Sequence, residues 1–367
     1  MTWTRTARVE TFRKLAGACL VLAAVGCEKH EAPSVEATGS ASAAATAAVA
    51  ATNQPKARTI GCVASGSTPM KLGSAIGTVH GLVNDAAHLY YTTWQTYGNR
   101  GDLGEIQKNG EGMTALLSLD LEPRGLALDQ DRVYFTEGIR LKSVPKRGGA
   151  PSLIDANFSS QSIASYADRV YGVPGDYGPY DRVVVVFGKG GEAKELATSP
   201  RPASKRAPLG YSAIVADASG VYVTDSGHGR VLRFPLGGGK PKSLTSGQDK
   251  PFDLASDDSH LYFDLAKKGH LMKLEKTGGK AQQLASGLVE NARIALESGS
   301  LFAAFLGETA EAPRSLDKIE ADGGTRAKLA TVPSDHTVEA ITADHACVYW
   351  AEREAGSGKL TFFAVAR

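Results

Sequence analysis

From about residue 67 onward the chain alternates between short apolar clusters and polar turns, and one order of clusters returns along nearly all of it. Each return carries an apolar residue, an aromatic and further β-forming side chains: Leu89-Tyr90-Tyr91, Val133-Tyr134-Phe135, Val170-Tyr171, Val221-Tyr222-Val223, Leu261-Tyr262-Phe263, Leu301-Phe302 and Val348-Tyr349-Trp350. Short runs of this kind, bounded by Gly, Asp and Ser, predict strands rather than helices. A shorter apolar strand and a polar turn precede each run, as in GLALDQDRVYFTE from Gly125 and AIVADASGVYVTD from Ala213.

The apolar residue near the start of that preceding strand falls at Leu82, Leu126, Ile163, Ile214, Leu254, Ile294 and Ile341, at spacings of 44, 37, 51, 40, 40 and 47. After the aromatic strand come a third strand, a Gly-Gly turn and a fourth strand, as in GRVLRFPLGGGKPKSLTSG from Gly229. Gly148-Gly149, Gly190-Gly191, Gly238-Gly239, Gly278-Gly279 and Gly323-Gly324 hold the turn position, where a hairpin needs positive φ and glycine supplies it without strain. A period near 40 to 45 with four short strands is that of propeller blades rather than helical solenoids. The expected fold is all-β: a seven-bladed β-propeller of four-stranded antiparallel blades. The run at Leu301-Phe302 fits least well, which leaves six blades as the alternative. The last unit stops after its third strand, Gly358 to Arg367, while Ser67 to Ala75 resembles the fourth strands KPKSLTSG and KAQQLASG. The N-terminal strand is therefore expected to complete the last blade and remove two exposed edges.

These units resemble the YWTD and NHL-like repeats of secreted and periplasmic bacterial propellers. VYFTE, VYVTD and VYWAE stand where that family has its Tyr-Trp-Thr-Asp, and DSGHGRVLRF from Asp225 looks like an NHL core. The resemblance implies the fold and little about function, because the motif residues pack blade on blade and the architecture hosts many activities.

The N-terminus changes the picture from a bare domain to an exported one. Arg5, Arg8, Arg13 and Lys14 precede an apolar run from Leu15 to Val25, and Gly26 stands before Cys27. That is the layout of a signal peptide, and the run falls short of the ~20 apolar residues a spanning helix needs. Leu22 to Cys27 (LAAVGC) resembles a bacterial lipobox, which implies that Cys27 becomes the lipidated first residue of the mature chain. Residues 1–26 are then a signal peptide with lipobox, 27–60 a lipidated Ala/Ser/Thr-rich tether without an apolar face to bury, and 61–367 the propeller. Glu28 after the cysteine favours the outer membrane or cell surface, with the periplasmic face also open. Two cysteines remain, Cys62 just before the closing strand and Cys347 inside the last unit. In an oxidising compartment they are expected to pair, closing a loop for which chain entropy predicts about 4 to 5 kcal/mol, often less in practice.

Charge excludes one class of partner. Lys plus Arg number 41 against 39 Asp plus Glu, so no strong field marks a nucleic-acid binder. Candidate chemistry concentrates where the innermost strands begin. His80, Arg124, Gln161, Asp253, Arg293 and Glu339 are expected to form a mixed polar ring at the channel mouth. Propeller lactonases hold a divalent cation with carboxylate and amide oxygens at such places, which would draw on Glu339, Asp253 and Asn84 for Ca²⁺. Streptogramin lyases use a metal-supported histidine, for which His80, His228 or His336 would stand. Two aromatic insertions add candidate binding loops: Trp94 and Tyr97 in the first unit, Tyr177 and Tyr180 in the third. No HExxH, GxSxG, CxxC or Walker loop is present.

The expected function is a membrane-tethered, non-catalytic binding or scaffold protein of the cell envelope. It is read as a monomer without cofactor, with a protein, peptide or envelope glycan as partner. The alternative is a lactonase-like hydrolase or streptogramin-lyase-like enzyme, with Ca²⁺ as its metal, acting at the channel mouth.

Overall fold

The computed structural model describes residues 66, 68–158, 160–174, 180–187, 193–200, 210–323 and 325–367. The segments expected to be signal peptide and tether, and Cys62, lie outside them.

Among these residues the chain forms 28 strands in seven four-stranded antiparallel sheets. β1 (Met70–Ile76) comes first in the chain and belongs to the last sheet. Blade 1 holds β2 (Thr78–Asn84), β3 (His88–Gln95), β4 (Arg100–Gln107) and β5 (Met113–Leu119). Blade 2 holds β6 (Pro123–Leu128), β7 (Arg132–Glu137), β8 (Arg140–Pro145) and β9 (Ser152–Asp155). Blade 3 holds β10 (Ser160–Tyr166), β11 (Arg169–Pro174), β12 (Tyr180–Phe187) and β13 (Ala193–Pro200). Blade 4 holds β14 (Tyr211–Asp217), β15 (Gly220–Asp225), β16 (Arg230–Phe234) and β17 (Lys242–Thr245). Blade 5 holds β18 (Pro251–Ser256), β19 (His260–Leu265), β20 (His270–Glu275) and β21 (Gln282–Ser286). Blade 6 holds β22 (Ile294–Glu297), β23 (Ser300–Phe305), β24 (Arg314–Glu320) and β25 (Arg326–Val332). Blade 7 holds β26 (His336–Ala343), β27 (Cys347–Glu354) and β28 (Lys359–Ala366), completed by β1.

The first strand of each blade packs against the first strands of both neighbours, β26 against β2 included, so the ring closes on itself. Seven buried apolar clusters fill the seven blade junctions, one to each. Tyr90, Tyr171, Tyr222, Tyr262, Tyr349 and Phe302, the aromatics of the repeat, are all buried there, each worth about 1.5–3 kcal/mol of transfer free energy. The third unit departs from the pattern with Gly172 after its tyrosine. A Cβ on Gly172 would lie 2.0 Å from the ring of Phe158. Phe158 thus occupies the volume that Phe135, Val223 or Trp350 fills in other blades.

β1 pairs antiparallel with β28 from Met70↔Ala364 to Ile76↔Lys359, so the N-terminal strand completes the last blade as the sequence predicts. The strand at Leu301-Phe302 takes its place as β23, second in its sheet like the other six.

One feature of the first strands departs from expectation. In six blades the strand shifts register near its start, between Val79/Gly81, Pro123/Leu126, Ser160/Ser162, Tyr211/Ile214, Pro251/Leu254 and Val338/Ala340. The strands consequently begin earlier than the apolar pattern suggests, since a bulge interrupts the alternation on which that pattern depends. In three of these blades a backbone N–H beside the bulge finds a side chain on the second strand. Gly125 donates to Thr136 Oγ1 at 2.7 Å, Ala213 to Thr224 Oγ1 at 3.0 Å and Asp253 to Asp264 Oδ1 at 2.6 Å.

Candidate functional site at the channel mouth

Antiparallel alternation puts the starts of the first strands and the turns between second and third strands on one face. Here the sequence-predicted ring converges. His80, Arg124, Gln161, Asp253, Arg293 and Glu339 line one open cavity of about 300 Å³. All except Arg293 lie inside strands at or beside the bulges rather than ahead of them, because the bulge re-aims their side chains into the channel. Arg293 immediately precedes β22.

The carboxylates of the ring are already engaged. Glu339 Oε2 accepts the backbone N–H of Val79 at 2.7 Å, and its Oε1 accepts Arg353 Nε from β27. Asp253 Oδ2 accepts Ile294 N–H at 2.9 Å. Glu122, on the loop between blades 1 and 2, lies 3.6 Å from His80 Nε2 and 3.3 Å from Arg124 Nη2.

The cations are freer. Arg293 Nη1 comes no nearer than 4.0 Å to Asp253 Oδ1, and its guanidinium rests 5.1 Å from the centre of the Phe252 ring with 41% of the side chain exposed. Burial is the main cause that lowers the pKa of His80, and the charges of Arg124 and Arg293 reinforce it against the pull of Glu122. Both guanidinium groups therefore act electrostatically on one imidazole, which stays neutral at neutral pH.

Behind the ring, Asp264 is buried on β19. Its Oδ2 has no hydrogen-bond partner among the described residues, and burial, helped by Asp253, pushes its carboxyl up to about 8. Burial likewise raises the Asp253 carboxyl, against the opposing charge of Arg293.

The structure corrects several sequence-predicted sites. Asn84 does not join Glu339 and Asp253 in a cation site. It sits at the far end of β2, donating to Thr342 Oγ1 and the Ala343 carbonyl and accepting Lys108 Nζ. Among the described residues no group of three or more His, Cys, Asp or Glu is placed to hold a metal ion. Trp94 is not a loop residue. It lies buried in β3 against Gly101, where a Cβ would meet the indole at 2.9 Å. Tyr97, in the following turn, is 99% exposed. Tyr177 lies outside the described residues, and Tyr180 falls in β12 rather than in a loop. His228 is tied to Asp225 at 2.9 Å and His336 to Glu352 at 2.9 Å through Nδ1, so neither stands with His80.

Two participants escaped the sequence reading. Glu122 was legible as the partner two residues before Arg124, on the same side of an extended chain. Asp264 was legible as the aspartate in LYFDL where VYFTE and VYVTD have threonine. The mouth face also carries most of the exposed large apolar residues: Ile76, Tyr97, Leu121, Ile139 and Leu306.

No protein-family model and no curated protein matches this sequence. Solved structures do. A streptogramin B lyase is 13% identical, with 81% of this chain and 97% of that one covered at a TM-score of 0.60. The WD40 repeats of RRP9 are 10% identical, covering 83% and 99% at 0.58. BamB from Moraxella catarrhalis is 11% identical, covering 81% and 99% at 0.53. At such identities the likeness is one of fold, and in fold the chain is a β-propeller of four-stranded antiparallel blades.

Proposed function

We propose that this chain is a membrane-tethered, non-catalytic binding protein of the cell envelope whose ligand seats at the channel mouth. The observation that carries the reading is the convergence of His80, Arg124, Gln161, Asp253, Arg293 and Glu339 on one open cavity. Two guanidinium groups with donors to spare, flanked by exposed apolar residues, are the makings of a recognition surface. The tether and the anchor at Cys27 rest on the lipobox-like LAAVGC and the stretch that follows. They would hold the propeller near a membrane.

A disulfide between Cys62 and Cys347 belongs to the same proposal. Register supports it: Met70 and Tyr349 both face Ala364, while Cys347 faces Ala366 at the end of β28. Met70, eight residues after Cys62, is thus two positions along β28 from the residue that faces Cys347.

The test is capture from detergent-solubilised envelope by the full-length protein, in parallel with an Arg124→Gln/Arg293→Gln double variant. A component retained by the wild type and lost with the variant is expected; equal retention by both would remove the mouth from the reading. Turnover of a retained small molecule would instead favour the hydrolase or lyase alternative. Replacement of Cys27 by Ser is expected to abolish lipid incorporation and release the protein from membranes.

A further inference from the structure

We propose that the channel mouth receives the oxyanion of a small ligand, held by the guanidinium groups of Arg124 and Arg293 with His80 beside them. The inference rests on the reading of the mouth as a binding site and adds the chemistry of what binds there.

It starts from the imbalance between the two kinds of charge in the ring. Each carboxylate has a partner within the protein. Glu339 is closed off by Val79 N–H and by Arg353 and is only 7% exposed. Asp253 is held by Ile294 N–H, with 18% of its side chain exposed. Burial opposes the charged form of Asp253, against the charge of Arg293. Glu122, at the rim, serves His80 and Arg124 together.

The guanidinium groups are left with donors to spare. An arginine carries five N–H donors in a planar fork. Among the described residues Arg293 makes no hydrogen bond; its guanidinium lies over the Phe252 ring and lines the cavity. Arg124 has one contact, to Glu122 through Nη2, and remains 31% exposed. A guanidinium beside an aromatic ring with N–H donors to spare suits the bidentate reception of carboxylate or phosphate. Gln161, exposed on β10, offers an amide to the same cavity. His80 in its neutral form keeps one N–H donor and adds no charge that would need a counter-ion. A cavity of about 300 Å³ is at the small end of ligand sites, which fits a compact anion or the anionic end of a longer molecule.

The experiment titrates full-length protein in detergent with sodium phosphate and, separately, sodium benzoate, at constant ionic strength set by sodium chloride. The readout is the thermal unfolding midpoint, confirmed by calorimetric titration. At least one of the two anions is expected to stabilise saturably. Arg293→Gln and Arg124→Gln are each expected to weaken binding about tenfold or more, the worth of one charge-assisted contact. Arg140→Gln, an exposed arginine at the start of β8, is expected to leave binding unchanged. Each variant's own unfolding midpoint in chloride alone is the reference from which its response to the anions is read, which separates lost binding from lost folding. Response to phosphate alone would assign a phosphate ligand, and response to benzoate alone a carboxylate.

No saturable stabilisation by either anion would overturn the proposal, as would stabilisation that survives in both variants. Envelope capture that depends on the two arginines yet is untouched by either anion would overturn the oxyanion assignment and leave the mouth as a binding site. Capture that ignores the arginines would remove that reading as well.

Discussion

At the scale of single residues, Asp264 shows how a repeat tolerates a departure. Threonine at this place does two things: Thr136 and Thr224 accept the N–H freed by their blade's bulge and donate to a carbonyl of the next blade, Ser160 at 3.1 Å and Phe252 at 2.9 Å. Asp264 accepts Asp253 N–H with Oδ1 but, when ionised, has no proton to donate, and its Oδ2 is left without a partner. The folded protein therefore favours the neutral acid, with a pKa near 8 against 3.8 for the free group. Between these values the folded state binds a proton that the unfolded state has released. Stability from this group is accordingly highest below about pH 4, falls as pH rises, and levels off above about pH 8. Asp264→Thr is expected to stabilise the protein by about 1–3 kcal/mol at pH 8.5, the cost of a buried unsatisfied polar group, and to change little at pH 4. Urea unfolding of both forms at the two pH values measures this. An equal effect at both would locate the benefit in packing rather than in the proton.

At the scale of elements, the face opposite the mouth is organised by a device that spans blades. In four blades an Asp in the first hairpin accepts the hydroxyl of the tyrosine five residues on: Asp85–Tyr90, Asp129–Tyr134, Asp257–Tyr262 and Asp344–Tyr349. At two of these pairs a cation just after the third strand of the following blade clasps the aspartate and the ring together. Lys108 binds Asp344 at 2.6 Å and lies over Tyr349, and Lys146 does the same for Asp85 and Tyr90. Lys276 joins Asp217 and sits over Tyr222, while Arg367 after β28 covers Phe302. The aromatic strands and the blade period were legible in the sequence, because aromatic side chains mark the second strand in every unit. The clasps were not, since each joins residues of two repeats and shows no local periodicity. The bulges escaped for a related reason, as they break the alternation by which strand limits are read. Lys108 is only 1% exposed, and burial of Asp344 is outweighed by Lys108 and two backbone N–H groups, which hold its carboxyl below the usual range. Lys108→Ala is expected to cost about 3–5 kcal/mol, as removal of one partner strands a buried charge. Lys146→Ala, whose partner is more exposed, is expected to cost less. Denaturant midpoints of the two variants test the order; a smaller loss at Lys108 would contradict the clasp.

At the scale of the whole molecule, the two faces divide the work, and ring closure decides whether either can function. The clasps bind blade to blade on one face, while on the mouth side Arg124 and Arg293 keep N–H donors that no described residue takes up. Every junction but one joins consecutive blades of a continuous chain. The exception is blade 7, where β1 and β28 come from opposite ends of the propeller and are held by strand pairing, the apolar cluster of Leu72, Tyr349 and Phe362, and the reach of Lys108 into Asp344. Opening this blade exposes the unpaired edges of β1 and β28 together, so it is where unfolding is expected to begin. A covalent link from Cys62 to Cys347 would act at that weak point and, by closing a loop of nearly the whole domain, would restrict the unfolded chain more than almost any other bond could. The expected result is that Cys62→Ser and Cys347→Ser lower the unfolding midpoint by the same amount, and that the double variant loses no more than either alone. Dithiothreitol should bring the wild type down to the same value. Unequal or additive losses would mean that the two sulfurs stabilise separately, and the closing strand would then be held by pairing and packing alone.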